Sequence, residues 1–156
     1  MHPTAGSTPL LTVMTCRDAE TIFDVFKAAA EGNRRSLPPG ISAADDVRAV
    51  MRGGVAFFVA YRGQLRGEAS PVGAIGYRWE RGTLRIVHVG VKEEARGGGV
   101  AKRLVQAVEA VGAALGSTSV SAAVPQEYDH HKLFERFGYQ VTGEGERLPM
   151  TKALAS

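Results

Sequence analysis

The sequence predicts a mixed α/β fold, a sheet of six to seven strands flanked by about four helices. Three observations carry that expectation. Three apolar, β-branched and aromatic stretches, "VAFFVAY", "PVGAIGYRW" and "TLRIVHVGV", follow one another with "RGQLRGEAS" and "ERG" between them, which reads as antiparallel hairpins. A helical stripe then separates "TLRIVHVGV" from a further strand, "STSVSAAV", and the right-handed crossover rule makes the two flanking strands parallel. Finally, the 156 residues show no composition shift that would mark a boundary, so one core is expected.

The elements follow in order. Residues 1–9, "MHPTAGSTP", read as a flexible tail, leaving residues 10–156 as a single domain. "LLTVMTC" reads as the first strand. Asp18 can cap a helix that places Ile22, Phe23, Phe26, Ala29 and Ala30 on one face. Pro38 and Pro39 make "NRRSLPPG" a loop. Ser42 and Asp45 stand at capping-box spacing ahead of a second helix, which Gly53 and Gly54 end. The long helix carries Val100, Leu104, Val108, Val111 and Leu115 as one stripe. "DHHKLFERFG" is a short helix with Leu133 and Phe137 on one face and Gly138 at its C-cap. Two short strands around a glycine turn complete the chain.

Composition excludes several classes. The net charge of +3 comes from 19 Lys and Arg spread among 16 acidic residues, so no block reaches the density of a nucleic-acid arm. Cys16 is the only cysteine, which rules out an intrachain disulfide and gives no sign of an oxidising compartment. "PLLTVM" is too short for a secretory core and lacks a basic leader. No segment approaches the ~20 apolar residues of a membrane span. A cytoplasmic protein without nucleic-acid or membrane partners is the expectation. His130 and His131 are adjacent on a helix, about 100° apart, which makes a poor chelating pair, and no metal is expected.

The segment richest in chemistry is "VHVGVKEEARGGGVAKRLV", where three glycines stand at the start of a helix. Glycine in a helix costs about 1 kcal/mol relative to alanine, so bare backbone must serve something there. The first amides of a helix lack internal partners and carry partial positive charge, and a glycine turn lets an anion reach them. Strand, glycine turn and helix thus describe a phosphate cradle, with Arg96, Lys102 and Arg103 adding charge. The same pattern also makes a tight turn with no ligand, but three glycines exceed what a turn needs. A P-loop fails because no Gly-Lys pair and no following Ser or Thr are present. The dinucleotide fingerprint fails because Lys102 stands at its third glycine and no acid follows in "STSVSAAV".

Arg96-Gly97-Gly98-Gly99-Val100-Ala101 resembles the Arg/Gln-x-x-Gly-x-Gly/Ala signature of the GNAT superfamily of acyl-CoA N-acyltransferases. The likeness continues in "TCRDAETIFDVF", in Val89-Gly90-Val91 ahead of the loop, in "HKLFERFGYQ" and in "PMTKAL", in the family's order. It implies a GNAT-like, partly open mixed sheet and an acetyl-CoA cosubstrate. By resemblance, Gly97, Gly98, Gly99, Val100, Ala101 and Lys102 surround the diphosphate and Arg96 starts the turn. Val89 and Val91 meet the pantetheine arm, and an amide at Gly90 polarises the thioester. Phe134 lies at the cofactor position that commonly holds a tyrosine acid.

The implied reaction is direct acetyl transfer from acetyl-CoA to a primary amine in a ternary complex; the alternative is a catalytically silent acyl-CoA-binding sensor or scaffold. Here the chain departs from the family, because Phe134 lacks a hydroxyl, Glu127 stands at an asparagine position and Arg85 at a glutamate position. His88, with an intrinsic pKa near ~6.5, is the base candidate by chemistry. Glu127 and Tyr128 fall near the expected thiol end, with Tyr128 able to replace the missing tyrosine. Arg34 and Arg35 lie in a loop that could meet an acidic acceptor, and Trp79 with Tyr77 could line an acceptor pocket. Dimers are common among relatives, so a homodimer is one state the resemblance allows, and the sequence leaves the oligomeric state open.

Overall fold

The computed structural model describes residues 10–63, 68–125 and 130–154. Seven strands form one sheet in the order β1-β2-β3-β4-β5-β7-β6. The strands are β1 (Leu10–Cys16), β2 (Ala56–Gly63), β3 (Ala69–Glu80), β4 (Thr83–Val91), β5 (Ser119–Pro125), β6 (Gln140–Val141) and β7 (Arg147–Ala153). Four helices accompany them, α1 (Ala19–Gly32), α2 (Ala44–Arg52), α3 (Val100–Ala114) and α4 (His130–Arg136). β1 and β2 pair antiparallel, β4 and β5 parallel, and β7 antiparallel to both β5 and β6. The parallel pair flanks α3, as the crossover rule requires.

Contacts group the chain into two compact units, one of residues up to Gly76 with His88–Val105, the other of Tyr77–Val87 with residues from Gln106 on. In the first, Ile22, Val25, Phe26, Val47, Phe57 and Val59 are buried. Phe26 meets Phe57 edge-on at 6.1 Å, so an α1 side chain packs directly on β2. The second unit buries Leu84, Val108, Val120, Phe134, Tyr139 and Met150.

Local chemistry accounts for the boundaries. Asp18 caps α1, accepting from the Glu20 amide at 3.1 Å and the Thr21 hydroxyl at 2.9 Å. Hydrogen bonding by Thr21 holds the Asp18 carboxyl below the usual carboxylate range. The β3–β4 hairpin turns on Arg81 (φ 51°) and Gly82 (φ 82°), the pair of positive angles that a two-residue primed turn needs. Gly138 (φ 96°) closes α4, with Tyr139 N–H donating to the Phe134 carbonyl at 3.0 Å.

Four sequence expectations shift by a residue or two. The inward face of α1 uses Val25, while Phe23 is half-buried. At α2, Ala43 is the N-cap and offers no side-chain acceptor. Asp46 takes the place expected of Asp45, accepting from the Ser42 amide and hydroxyl, each at 2.8 Å, and the Ala43 amide at 3.1 Å. Those bonds lower the Asp46 pKa, and Asp45 instead pairs with Arg48. Leu115 does not extend the α3 stripe and is 59% exposed. The helix has already ended, because Ser117 N–H reaches the Gly112 carbonyl at 2.8 Å around Gly116 (φ 80°). On α4 the buried residue is Phe134, and Leu133 and Phe137 are half-buried.

Among the described residues, no helix is long and apolar enough to cross a membrane.

Candidate functional site

β4 leads into the glycine corner. Within the second unit, Leu84, Arg85 and Ile86 of β4 pair with Val120, Ser121 and Ala122 of β5. A short 3₁₀ turn, Glu93–Ala95, follows and buries Ala95. Next come Gly97 (φ 80°) and Gly99 (φ 79°), both in the left-handed region where an L side chain is strained. A Cβ at either would meet nothing within 4 Å, so both face open space.

Gly98 differs from its neighbours. Its φ is not positive, and its N–H turns back toward the Ala95 carbonyl at 3.4 Å. Helix α3 starts immediately afterward, with its first internal bond from Arg103 N–H to Gly99 C=O at 3.0 Å. The amides of Val100, Ala101 and Lys102 therefore have no partner inside the helix. No carbonyl among the described residues accepts from Gly97 or Gly99. Five donors and the positive end of a helix dipole are thereby left at an open surface of bare backbone, which is what an oxyanion of phosphate type requires.

Asn33 braces this corner. Its amide donates to the Ala29 carbonyl at 2.7 Å and the Val91 carbonyl at 2.9 Å, while its own oxygen accepts from Arg96 Nη1 at 3.0 Å. One side chain thus ties the end of α1, the end of β4 and the residue that opens the glycine loop. The Val91 carbonyl, expected to face a ligand, spends one acceptor direction on Asn33. Asparagine at a helix end is a common cap, but its reach to Arg96, 63 positions away in sequence, has no local signature.

The other expected residues are placed as follows. Gly90 lies under α1, where an added Cβ would meet Phe26 Cδ1 at 2.9 Å. Close approach of that aromatic ring is one reason the position is bare. His88, half-buried, stacks on Phe57 (6.3 Å, 6° between planes) and meets Phe26 edge-on at 6.1 Å. Val89 is half-buried on the same strand, and Lys102 and Arg103 are exposed on the first turn of α3. Phe134 belongs to the core of its own unit, 5.3 Å from the Tyr139 ring and 6.0 Å from Phe137. Glu127 and Tyr128 lie outside the described residues.

Arg35 lines an open cavity of about 600 Å³ with Phe23, Lys27, Glu31, Leu37 and Ser42, while Arg34 does not. Trp79 is 47% exposed and no part of a core. Sequence reasoning missed Arg62, whose guanidinium lies against Gly98. Nothing in "AYRGQ" signals this, because the contact depends on where the end of β2 falls relative to the loop.

Comparison with known proteins gives the same assignment. The computed fold is similar to that of a PaiA N-acetyltransferase from Thermoplasma acidophilum solved with coenzyme A, at 14% identity and TM-score 0.71, covering 92% of this chain and 99% of that one. It is similar to Ard1 from Thermoplasma volcanium, at 17% identity and TM-score 0.72 over 94% and 99% of the two chains. An aminoglycoside 6′-N-acetyltransferase complexed with coenzyme A aligns at 14% identity and TM-score 0.68 over 93% and 98%. No curated protein sequence matches the chain. The sequence model of the acetyltransferase (GNAT) family matches residues 21–139, most of the chain. The chain therefore belongs to the GNAT acetyltransferases and is an acetyl-CoA-dependent enzyme.

Proposed function

We propose that the protein moves an acetyl group from acetyl-CoA to a primary amine by direct attack within a ternary complex. The observation that carries this reading is the glycine corner itself, with Gly97 and Gly99 at positive φ facing open space beside the unpaired first amides of α3. The diphosphate of the cosubstrate takes those amides, with Lys102 nearby. Pantetheine follows the end of β4, along Val89, Gly90 and Val91. A backbone amide on this stretch stabilises the oxyanion that forms when the amine attacks the thioester.

An alkyl amine with a pKa near ~10.4 is mostly protonated at neutral pH and must lose a proton to attack. His88 is assigned that role through a water. Its stack on Phe57 fixes the ring plane, a contact that uses the ring face rather than its nitrogens. Phe134 has no proton to give the departing thiolate, so the acid falls to Tyr128 or Glu127, or to solvent. Holding the amine against the thioester supplies the remaining acceleration.

Isothermal titration of acetyl-CoA into the protein tests the reading, with Gly99→Ala and Gly99→Glu alongside. Micromolar binding is expected for the parent chain. Alanine at φ 79° adds backbone strain of roughly 1–2 kcal/mol. Glutamate adds a like charge at the anion site, and binding should fall more than a hundredfold. Thiol release with a panel of amines then identifies the acceptor class. No binding by the parent chain would overturn the proposal.

A further inference from the structure

We propose that Arg62 grips the diphosphate of coenzyme A beside Gly98 of the glycine loop, and that Gly98 is bare to admit its guanidinium. This rests on the acyl-CoA reading of the loop. Arg62 stands near the end of β2, opposite Leu11 of β1, and its side chain is half-buried. A Cβ built at Gly98 would meet Arg62 Nη2 at 2.5 Å and Cζ at 3.7 Å.

The three glycines therefore have two different reasons for being glycine. Gly97 and Gly99 need positive φ, whereas Gly98 has no such need and alanine's backbone would fit there. What a methyl group at Gly98 displaces is the arginine head.

The charges around the loop are unevenly committed. Arg96 is held by the Asn33 carbonyl oxygen. Lys102 and Arg103 project into solvent. Arg62 has no carboxylate within ion-pair distance among the described residues. A half-buried guanidinium without a counter-ion, resting on a loop whose neighbouring amides are also unpaired, is set for an oxyanion. Its planar fork suits two phosphate oxygens. Bound there, Arg62 would add a charged fork to the helix amides beside Gly98.

The test measures dissociation constants for coenzyme A, dephospho-coenzyme A and pantetheine, with melting temperatures recorded for every variant. Arg62→Gln should weaken both nucleotide ligands about tenfold, the scale of one charge-assisted contact, and leave pantetheine unchanged. Arg62→Lys should fall between. Gly98→Ala should weaken coenzyme A in the parent chain but add nothing in the Arg62→Gln background, since the two changes remove one interaction.

Unchanged coenzyme A binding by Arg62→Gln would overturn the assignment. So would an equal loss toward pantetheine, which would mark a structural role. A loss confined to coenzyme A and absent with dephospho-coenzyme A would overturn the choice of the diphosphate over the 3′-phosphate. If the parent chain binds no coenzyme A at all, the reading of the loop itself fails, a result distinct from the other three.

Discussion

Around Tyr139, a phenol, a carboxylate and an ammonium close on one another. The Tyr139 hydroxyl donates to Glu109 at 2.9 Å, Lys152 donates to the other oxygen of that carboxylate at 3.2 Å, and the ammonium sits 5.9 Å from the Tyr139 ring centre. Around the glycine corner, Gly97 and Gly99 face open space beside unpaired amides, and the Arg62 guanidinium rests against Gly98 with no carboxylate in ion-pair distance among the described residues. Both regions concentrate polar groups and each lies within a single compact unit, yet only one is complete. A buried polar cluster that satisfies itself holds a fold together. One that leaves donors of a single sign unsatisfied is waiting for the opposite charge. That difference is the ground, independent of any relative, for proposing the glycine corner as the site.

The sharpest way to break that comparison is at Glu109. Glu109→Ala leaves the buried Tyr139 hydroxyl without its acceptor and Lys152, whose side chain is 30% exposed, without its counter-ion. Loss of a partner from such a network costs about 3 kcal/mol. Denaturant unfolding should show that loss, while acetyl-CoA affinity of the folded protein stays within twofold. A large affinity change at equal folded fraction would mean the cluster is part of the site.

Asn33 stands between the two categories, because its bonds are satisfied and yet it holds a loop that is not. Asn33→Ala removes donors from the Ala29 and Val91 carbonyls and releases Arg96. The expected cost is about 2 kcal/mol of stability, from the two part-buried bonds to Ala29 and Val91 at about 1 kcal/mol each, the exposed bond from Arg96 adding little. A several-fold rise in KM for acetyl-CoA should accompany it. Asn33→Asp keeps the acceptor for Arg96 and loses both donations, so it should lose stability while KM rises less. Equal KM values for the two variants would show that Arg96 needs no anchor.

What the sequence made legible follows the same division between local and distant. The bounds of β4 agree with the stretch "TLRIVHVGV" because alternation, a hairpin glycine and a following lysine all mark them within a few residues. The backbone of the glycine corner was legible for the same reason, since consecutive residues carry its turn and the helix start. Asp46 displaced Asp45 as the α2 cap because the helix starts one residue later than Ser42 suggests, and only backbone geometry decides that. Arg62 and Asn33 reach the loop across the fold, from β2 and from α1, and no pattern in one dimension encodes such a meeting. The contact between Gly98 and the Arg62 guanidinium is likewise invisible in a run of three glycines.

The gentlest probe of the completed cluster is alkaline pH. Burial, and then the charge of Glu109 and the bond to it, push the Tyr139 hydroxyl well above its ordinary 10.0. A group whose folded pKa is raised stabilises the fold fully below the unfolded value and loses that contribution as pH climbs above it. Between pH 9 and pH 11 the unfolded phenol ionises while the folded one does not, which should remove about 1.4 kcal/mol. Tyr139→Phe cannot ionise and should lack that part of the decline, although it is less stable at pH 9. Parallel curves for the two proteins would mean that the hydroxyl reaches water in the folded state. The cluster would then be as open as the glycine corner, and the distinction between the two regions would rest on charge alone.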